Sequence, residues 1–180
     1  MALLAESLVE EWLNRKGFFT VRGIKHGVAE IDLLAIRHET VGSVIGWHVE
    51  VQASFRPIGY IAKLTSEMAR ASNSARTTAR ARTPDQIVTC AREWVQSKFR
   101  SEDKAKAREQ LWPHVPWSYH LVHARVREPQ ELAVFEQEGV KCHSFRDLLT
   151  ELARRKDHSF SGSAGGDLAE IVSYYKSSED

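Results

Sequence analysis

Two short stretches of this chain put acids where a folded sheet resists them. In Glu30-Ile31-Asp32-Leu33-Leu34-Ala35, and again in His48-Val49-Glu50-Val51-Gln52, aliphatic residues alternate with acidic or polar ones. Side chains alternate across a strand, so Glu30 and Asp32 are expected on one face and Ile31 and Leu33 on the other. By the same count His48, Glu50 and Gln52 share a face opposite Trp47, Val49 and Val51. An acid inside an apolar strand is costly unless it is paired or holds a metal. One such strand reads as the wet side of a surface sheet. Two neighbouring strands with the same pattern, joined by a Gly-containing link, favour a built site.

The remaining composition narrows the class without naming the chemistry. A chain of 180 residues supports one well-buried core. Apolar residues make up 42% and charged residues 27%, as in ordinary globular domains, and a net charge of +1 gives no global signal for a polyanion. The distribution is more informative. Residues 56–82 hold six basic residues against one acid, whereas residues 1–55 hold five basic and seven acidic ones. A basic segment beside an acidic site suits a polyanion whose phosphate meets a bound cation. Cys90 and Cys142 have no Cys-x-x-Cys spacing, which argues against structural zinc or a disulfide framework and for a reducing compartment. The start meets Glu6 at once and lacks a basic leader, and no apolar run approaches the roughly 18 residues of a membrane span. A cytoplasmic protein without a membrane partner is expected.

Periodicity gives the element order. Residues 3–16 read as an amphipathic helix on Leu4, Leu8, Trp12 and Leu13, with Gly17 as its stop. Strands are expected at 18–22, 28–37 and 44–53, an antiparallel meander. A helix is expected at 61–71. Residues 71–83 read equally as a solvated helix or a basic loop. Thr83-Pro84 opens a helix to Phe99, and 102–111 reads as a charged, exposed helix. Strands at 117–126 and 140–145 alternate with helices from Pro129 and at 146–155. Residues 1–156 form one domain on this reading, and 157–180 a linker with a short terminal helix. Trp12, Trp47, Trp94 and Trp117 are expected in the core. His120 and His123 should point to opposite faces.

The order of these parts resembles the restriction-endonuclease-like superfamily of PD-(D/E)XK nucleases, and within it the YraN-like group. The matching residues are Ala5-Glu6, Leu8, Leu13 and Gly17-Phe18, then Glu30-Ile31-Asp32-Leu33 with Ala35, then Val49-Glu50-Val51. They lie within residues 4–55, under a third of the chain. The group usually has Gly-Glu-Ile-Asp-Leu and Val-Glu-Val-Lys; here Ala29 replaces the Gly and Gln52 the Lys. The resemblance implies an α/β fold with an αβββαβ core, a mixed central sheet flanked by helices, and extra C-terminal helices. It implies hydrolysis of DNA phosphodiester bonds with Mg²⁺ or Mn²⁺, by an endonuclease rather than an exonuclease. Asp32, Glu50 and the Val51 carbonyl would hold the metal. Glu6 would assist, with Glu10 as substitute, and Glu30 would be a bystander.

Gln52 leaves three outcomes open. Its amide can orient a water but supplies neither charge nor a proton. Either it suffices beside the metal, or a lysine arrives from elsewhere, with Lys63 as candidate, or the site is inert. His48 reads as a hydrogen-bonded structural residue or as a proton relay. Arg56, Arg70, Arg76, Arg80 and Arg82 are the expected phosphate contacts. The rival functions are a DNA-binding module that has lost catalysis, and a protein–protein adaptor. Each leaves room for a homodimer.

Overall fold

The computed structural model describes residues 2–27, 29–53, 59–154, 166–171 and 174, with side chains from Leu4 onward. A five-stranded mixed sheet is flanked by helices. Its order is β1 (Phe19–His26), β2 (Ala29–Thr40), β3 (Ser43–Gln52), β4 (Trp117–His123), β5 (Val140–Ser144). The first three strands form an antiparallel meander. β4 and β5 then add parallel to β3, because long helical connections intervene. The helices are α1 (Ala2–Arg15), α2 (Ser66–Ala71), α3 (Pro84–Phe99), α4 (Glu102–Leu111), α5 (Gln130–Gln137) and α6 (Phe145–Arg154). Residues 166–171 are helical as well. Of the linker expected at 158–166, residues 158–165 lie outside the described residues and Gly166 opens the helix. No helix among the described residues is long and apolar enough to cross a membrane.

Local chemistry sets several of these boundaries. α1 stops at Gly17, whose φ of 81° is left-handed, and the Phe18 N–H returns to the Leu13 carbonyl. α3 starts on a capping box: Thr83 Oγ1 accepts from Gln86 N–H, and the Gln86 side chain accepts from Thr83 N–H. Pro84 takes the first helical position.

The sheet separates two cores. On one face Leu33, Ala35, Val49 and Val51 pack with Val9, Trp12 and Leu13 of α1 and Leu148 and Leu152 of α6. On the other, Leu121 packs with Trp94, Val95 and Phe99 of α3 and Phe135 of α5. Trp47 packs against the α1 face, away from Glu50, as its position in the strand requires.

Three expectations need correction. Ile31 does not join Leu33: it packs with Leu34, Ile24, Trp117 and Ala107 of α4. The alternation breaks at Asp32, across from Gly23 with its φ of 65°, and the β2–β3 ladder ends at the Leu33–Val49 pair. The helix expected at 61–71 begins only at Ser66, because the Ala62 and Leu64 carbonyls are taken by the Arg82 and Arg76 guanidinium groups and the Leu64 N–H by the Arg76 carbonyl; the Ile61 and Ala62 N–H groups go to the Glu131 carboxylate at 2.6 and 2.8 Å. α4 is not an exposed helix: Lys104, Ala107 and Arg108 are buried. Residues 72–83 form turns and loop rather than helix.

Candidate functional site

The end of the β2–β3 ladder is the place where the chain gathers its buried charge. Past the Leu33–Val49 pair the two strands part, and Asp32 turns its carboxylate toward β3. Asp32 Oδ2 accepts the Val51 N–H at 2.7 Å. Its other oxygen makes no hydrogen bond among the described residues. Burial first, and the like charge of Glu50 second, push its pKa up to about 6, against the pull of the Val51 N–H and Lys98.

Glu50 lies two residues beyond His48 on the face opposite Val49 and is fully buried. A bare carboxylate there would not stay ionised. Three side chains hold it. Lys98 Nζ of α3 donates to Oε2 at 2.7 Å, and Lys104 Nζ of α4 donates to Oε1 at 2.5 Å. His48 Nε2 lies 3.3 Å from Oε1. Burial alone would raise the pKa of Glu50, but His48, Lys98 and Lys104 together bring it below its ordinary value. The two lysines respond differently. Burial works against the charge of both, yet Lys98 ends above its ordinary pKa, helped by Glu50 and Asp32. Lys104 ends below, with Lys98 adding to the burial.

The hydrogen bonds assign the His48 tautomer. Arg108 Nη1 donates to His48 Nδ1 at 2.9 Å and also to the Phe99 carbonyl. A guanidinium has no acceptor, so Nδ1 must carry the lone pair and Nε2 the proton. His48 therefore donates to Glu50, and burial holds it neutral with a pKa lowered to about 4. Of its two readings from sequence, the proton relay is overturned, because Arg108 occupies its one basic nitrogen.

Glu6 of α1 enters the same field. Burial, then the like charges of Glu30 and Glu50, raise its pKa, while Arg22 opposes them. No hydrogen bond or ion pair is made by its carboxyl among the described residues. Its substitute, Glu10, is committed elsewhere: it accepts from Thr20 Oγ1 and pairs with Arg22 at 3.3 Å. Glu30 is exposed.

The structure thus brings Glu6, Asp32, Glu50 and Gln52 to one corner. It does not bring Lys63 to Glu50. Lys63 is exposed on the segment before α2 and lines a cleft with Gln52 and Lys98. The cations arrive from α3 and α4 instead. Lys98, Lys104 and Arg108 were missed because α3 was read by its apolar stripe and α4 as a charged helix exposed to solvent. The only signal was the spacing of Lys104, Ala107 and Arg108, which places two cations beside the one small apolar residue of a helical face.

The expected phosphate contacts divide. Arg76 Nε donates to the Leu64 carbonyl at 2.6 Å and Nη2 pairs with Glu93 at 3.3 Å. Arg82 Nη1 donates to the Ala62 carbonyl at 2.8 Å, and its guanidinium lies over Tyr60, 3.9 Å from the ring centre. Both staple the segment before α2 as well as facing solvent. Arg70 and Arg80 are exposed and, among the described residues, make only local side-chain contacts, to the Ser66 carbonyl and Ser74 Oγ. Arg56 lies outside the described residues.

No family model matches the chain, and no curated protein is similar to it. Among solved structures, a crystal structure of a protein of unknown function is similar with a TM-score of 0.46 and 11% identity, over 88% of this chain and 73% of that one. That likeness is too remote to carry a functional argument.

Proposed function

We propose that this chain is a metal-dependent deoxyribonuclease of the restriction-endonuclease-like, PD-(D/E)XK kind, cutting DNA internally with Mg²⁺ or Mn²⁺. The observation that carries the reading is the corner where β2 and β3 part: Asp32 on the Val51 N–H, beside a fully buried Glu50 whose Oε2 meets Lys98 at 2.7 Å. The mixed five-stranded sheet, with its meander followed by parallel strands, suits the same reading.

The donors are hard oxygens: two carboxylates and the Val51 carbonyl. No cage of three or more His, Cys, Asp or Glu is formed among the described residues. Mg²⁺ needs none, since it keeps waters and takes one or two carboxylates plus substrate phosphate. Bound there, the cation would polarise the phosphoryl oxygen and lower the pKa of a coordinated water. The chain's own residues do the rest. Lys98 is one-third exposed, so it can leave Glu50 Oε2 to the cation and neutralise charge on the phosphate. Lys104 is 4% exposed and stays. His48 holds Glu50 in place through its Nε2–H. Gln52 would orient a water through its amide, and Glu6 would accept a hydrogen bond from a water held at the same corner. Lys98 thereby supplies the charge that Gln52 lacks.

The test is cleavage of supercoiled plasmid with Mn²⁺. Wild type nicks it, while Glu50→Gln and Lys98→Ala each cut at least about a hundredfold more slowly, as expected for groups stabilising developing charge. Absence of cutting on supercoiled, linear and branched DNA with either metal overturns the proposal. One observation favours a second reading, a DNA-binding module without catalysis: both Glu50 oxygens are already occupied by lysines. That reading requires DNA binding that weakens steeply with salt and no cutting under any of these conditions.

A further inference from the structure

From the acid corner, where Gln52 and Lys98 line it, the chain forms a groove that runs on beyond the proposed catalytic residues. Two clefts, of about 310 and 290 Å³, adjoin along the segment before α2. They share Gln52, Ile61, Lys63 and Arg76, so they form one groove with two lobes. The first lobe ends at Lys98, whose ammonium touches Glu50. The second ends at Tyr60, Thr78 and Arg82. The groove therefore starts at the acid corner and leads away from it.

Its charge is one-sided. Lys63, Arg76 and Lys98 line the first lobe against one acid, Glu93, which is paired with Arg76. Lys63, Arg76 and Arg82 line the second, with no acid. Lys63 makes no ion pair among the described residues. Half-buried Arg82 and Lys98 lie at the two ends, while exposed Lys63 and Arg76 form the lips.

We infer that this groove binds a single DNA strand, not a duplex, and leads it past Asp32 and Glu50. Volume and shape both argue for this. Each lobe is at the small end of ligand pockets and has room for about one nucleotide. A duplex keeps its bases paired inside and presents phosphates on a convex surface, so proteins usually read it by inserting a helix or ribbon into its groove. Here half-buried Lys98 and Arg82 lie in a recess whose first lobe is walled by α3, with Lys63 and Arg76 on its lips. A single strand can place successive phosphates on Lys98 and Lys63 and turn a base toward the stacked Arg82–Tyr60 pair, whose guanidinium lies over the ring, the pattern of a positive groove ending on a cation–aromatic surface. The inference rests on the nuclease reading for its direction past the acids, but not for binding itself.

The experiment is fluorescence anisotropy with intact protein in EDTA, so that nothing is cut. The probes are a labelled oligothymidylate and a blunt duplex of equal length, titrated at several salt concentrations. The single strand is expected to bind at least about tenfold more tightly, the equivalent of one stacked base. Lys63→Ala should weaken single-strand binding and reduce its salt slope by about 0.7, the value for one phosphate contact. Thr78→Trp, which fills the second lobe from an exposed loop, should weaken it as well. Duplex binding as tight as single-strand binding, or a single-strand affinity and slope unaltered in Lys63→Ala, overturns the inference. The two proposals fail separately. Duplex cutting without single-strand preference sinks the groove and leaves the nuclease. Groove binding without cutting under Mn²⁺ sinks the nuclease and leaves the groove.

Discussion

His48 and His120 sit on adjacent strands, one step out of register, and look alike by every local measure. Each is fully buried, and burial holds each neutral, with pKa values lowered to about 4 and about 3. They face opposite sides of the sheet. His48 receives a hydrogen bond from Arg108 on Nδ1 and passes its Nε2–H to Glu50, among Lys98 and Lys104. His120 receives one from His143 on Nδ1, at 2.8 Å, and meets Ser118 Oγ through Nε2 at 2.9 Å. Ser118 has one hydroxyl proton and gives it to the Gly46 carbonyl at 3.2 Å, so His120 is the donor to Ser118. Both histidines thus share one tautomer. One chain of donors ends on a carboxylate and the other on a backbone carbonyl. The neutral chain lies among Trp47 and Trp12. The contrast teaches that burial and tautomer do not tell two histidines apart; what stands at the end of each chain does. Buried ion clusters add little net stability over apolar packing of equal volume. Stability alone therefore does not account for the His48 side.

The largest expected effect tests the ionic side. Lys104→Met leaves Glu50 buried with Lys98 as its one ammonium partner, and should cost about 2–3 kcal/mol in urea unfolding, the loss of one charged hydrogen bond in a buried site. Lys98→Met should cost about 1 kcal/mol or less, because Lys98 is 33% exposed and water replaces it. The double variant Lys104→Met/Glu50→Gln should recover part of the loss, since an amide no longer needs the missing cation and the one-third exposed Lys98 turns to water. Equal costs for the two lysines would erase the distinction between a fixed cation and a releasable one.

The next effect separates the two faces by pH. A histidine whose folded pKa lies below its ordinary 6.5 binds protons more weakly folded than unfolded. Its contribution is intact above pH 6.5 and is lost as the pH falls from there toward about 3. His120 faces His143 and Lys141, and His143 is also held below its ordinary pKa by burial. Asp32 works in the other direction. Its raised pKa adds stability at low pH that is lost as the pH rises from 3.8 through about 6. His48 and Asp32 are unchanged in a His120→Phe variant. The difference between wild type and His120→Phe therefore isolates the neutral pair, and should shrink by about 1.4 kcal/mol per pH unit on acidification below 6. A pH-independent difference would show that His120 is held by packing on Trp47 alone.

Particular residues show how much of this was legible beforehand. The limits of α3 follow from local chemistry alone, Thr83-Pro84 at one end and a stripe from Ile87 to Phe99 along it, and they were read correctly. The face of β3 that carries His48, Glu50 and Gln52 was readable from alternation. So was the placement of Trp47 behind it. The failures are all non-local. The segment at 61–65 has helical composition, but Arg76 and Arg82 take its Leu64 and Ala62 carbonyls, and Glu131, about seventy residues away, holds the Ile61 and Ala62 N–H groups. Ile31 and Leu33 part company because of a left-handed glycine on the neighbouring strand. The two lysines on Glu50 come from helices whose cations look solvated in any count of polar residues. A sequence shows which acids are misplaced; it does not show which cations answer them.

The smallest expected effect tests the neutral chain at its end. Ser118→Ala removes the acceptor of the His120 Nε2–H and leaves the Gly46 carbonyl without the hydroxyl. The loss should be about 1 kcal/mol, an ordinary value for one neutral hydrogen bond, with some relief if water reaches the half-buried position. Nitrogen NMR of the histidine rings gives the sharper readout. In wild type, His48 and His120 should both show a bare Nδ1 and a protonated Nε2. In Ser118→Ala the His120 ring is free to exchange tautomers with His143, while His48, pinned between Arg108 and Glu50, stays as it was. Movement of the His48 signals would mean that the two chains communicate through the β3–β4 pair. The charged corner would then extend through the sheet instead of stopping at one face.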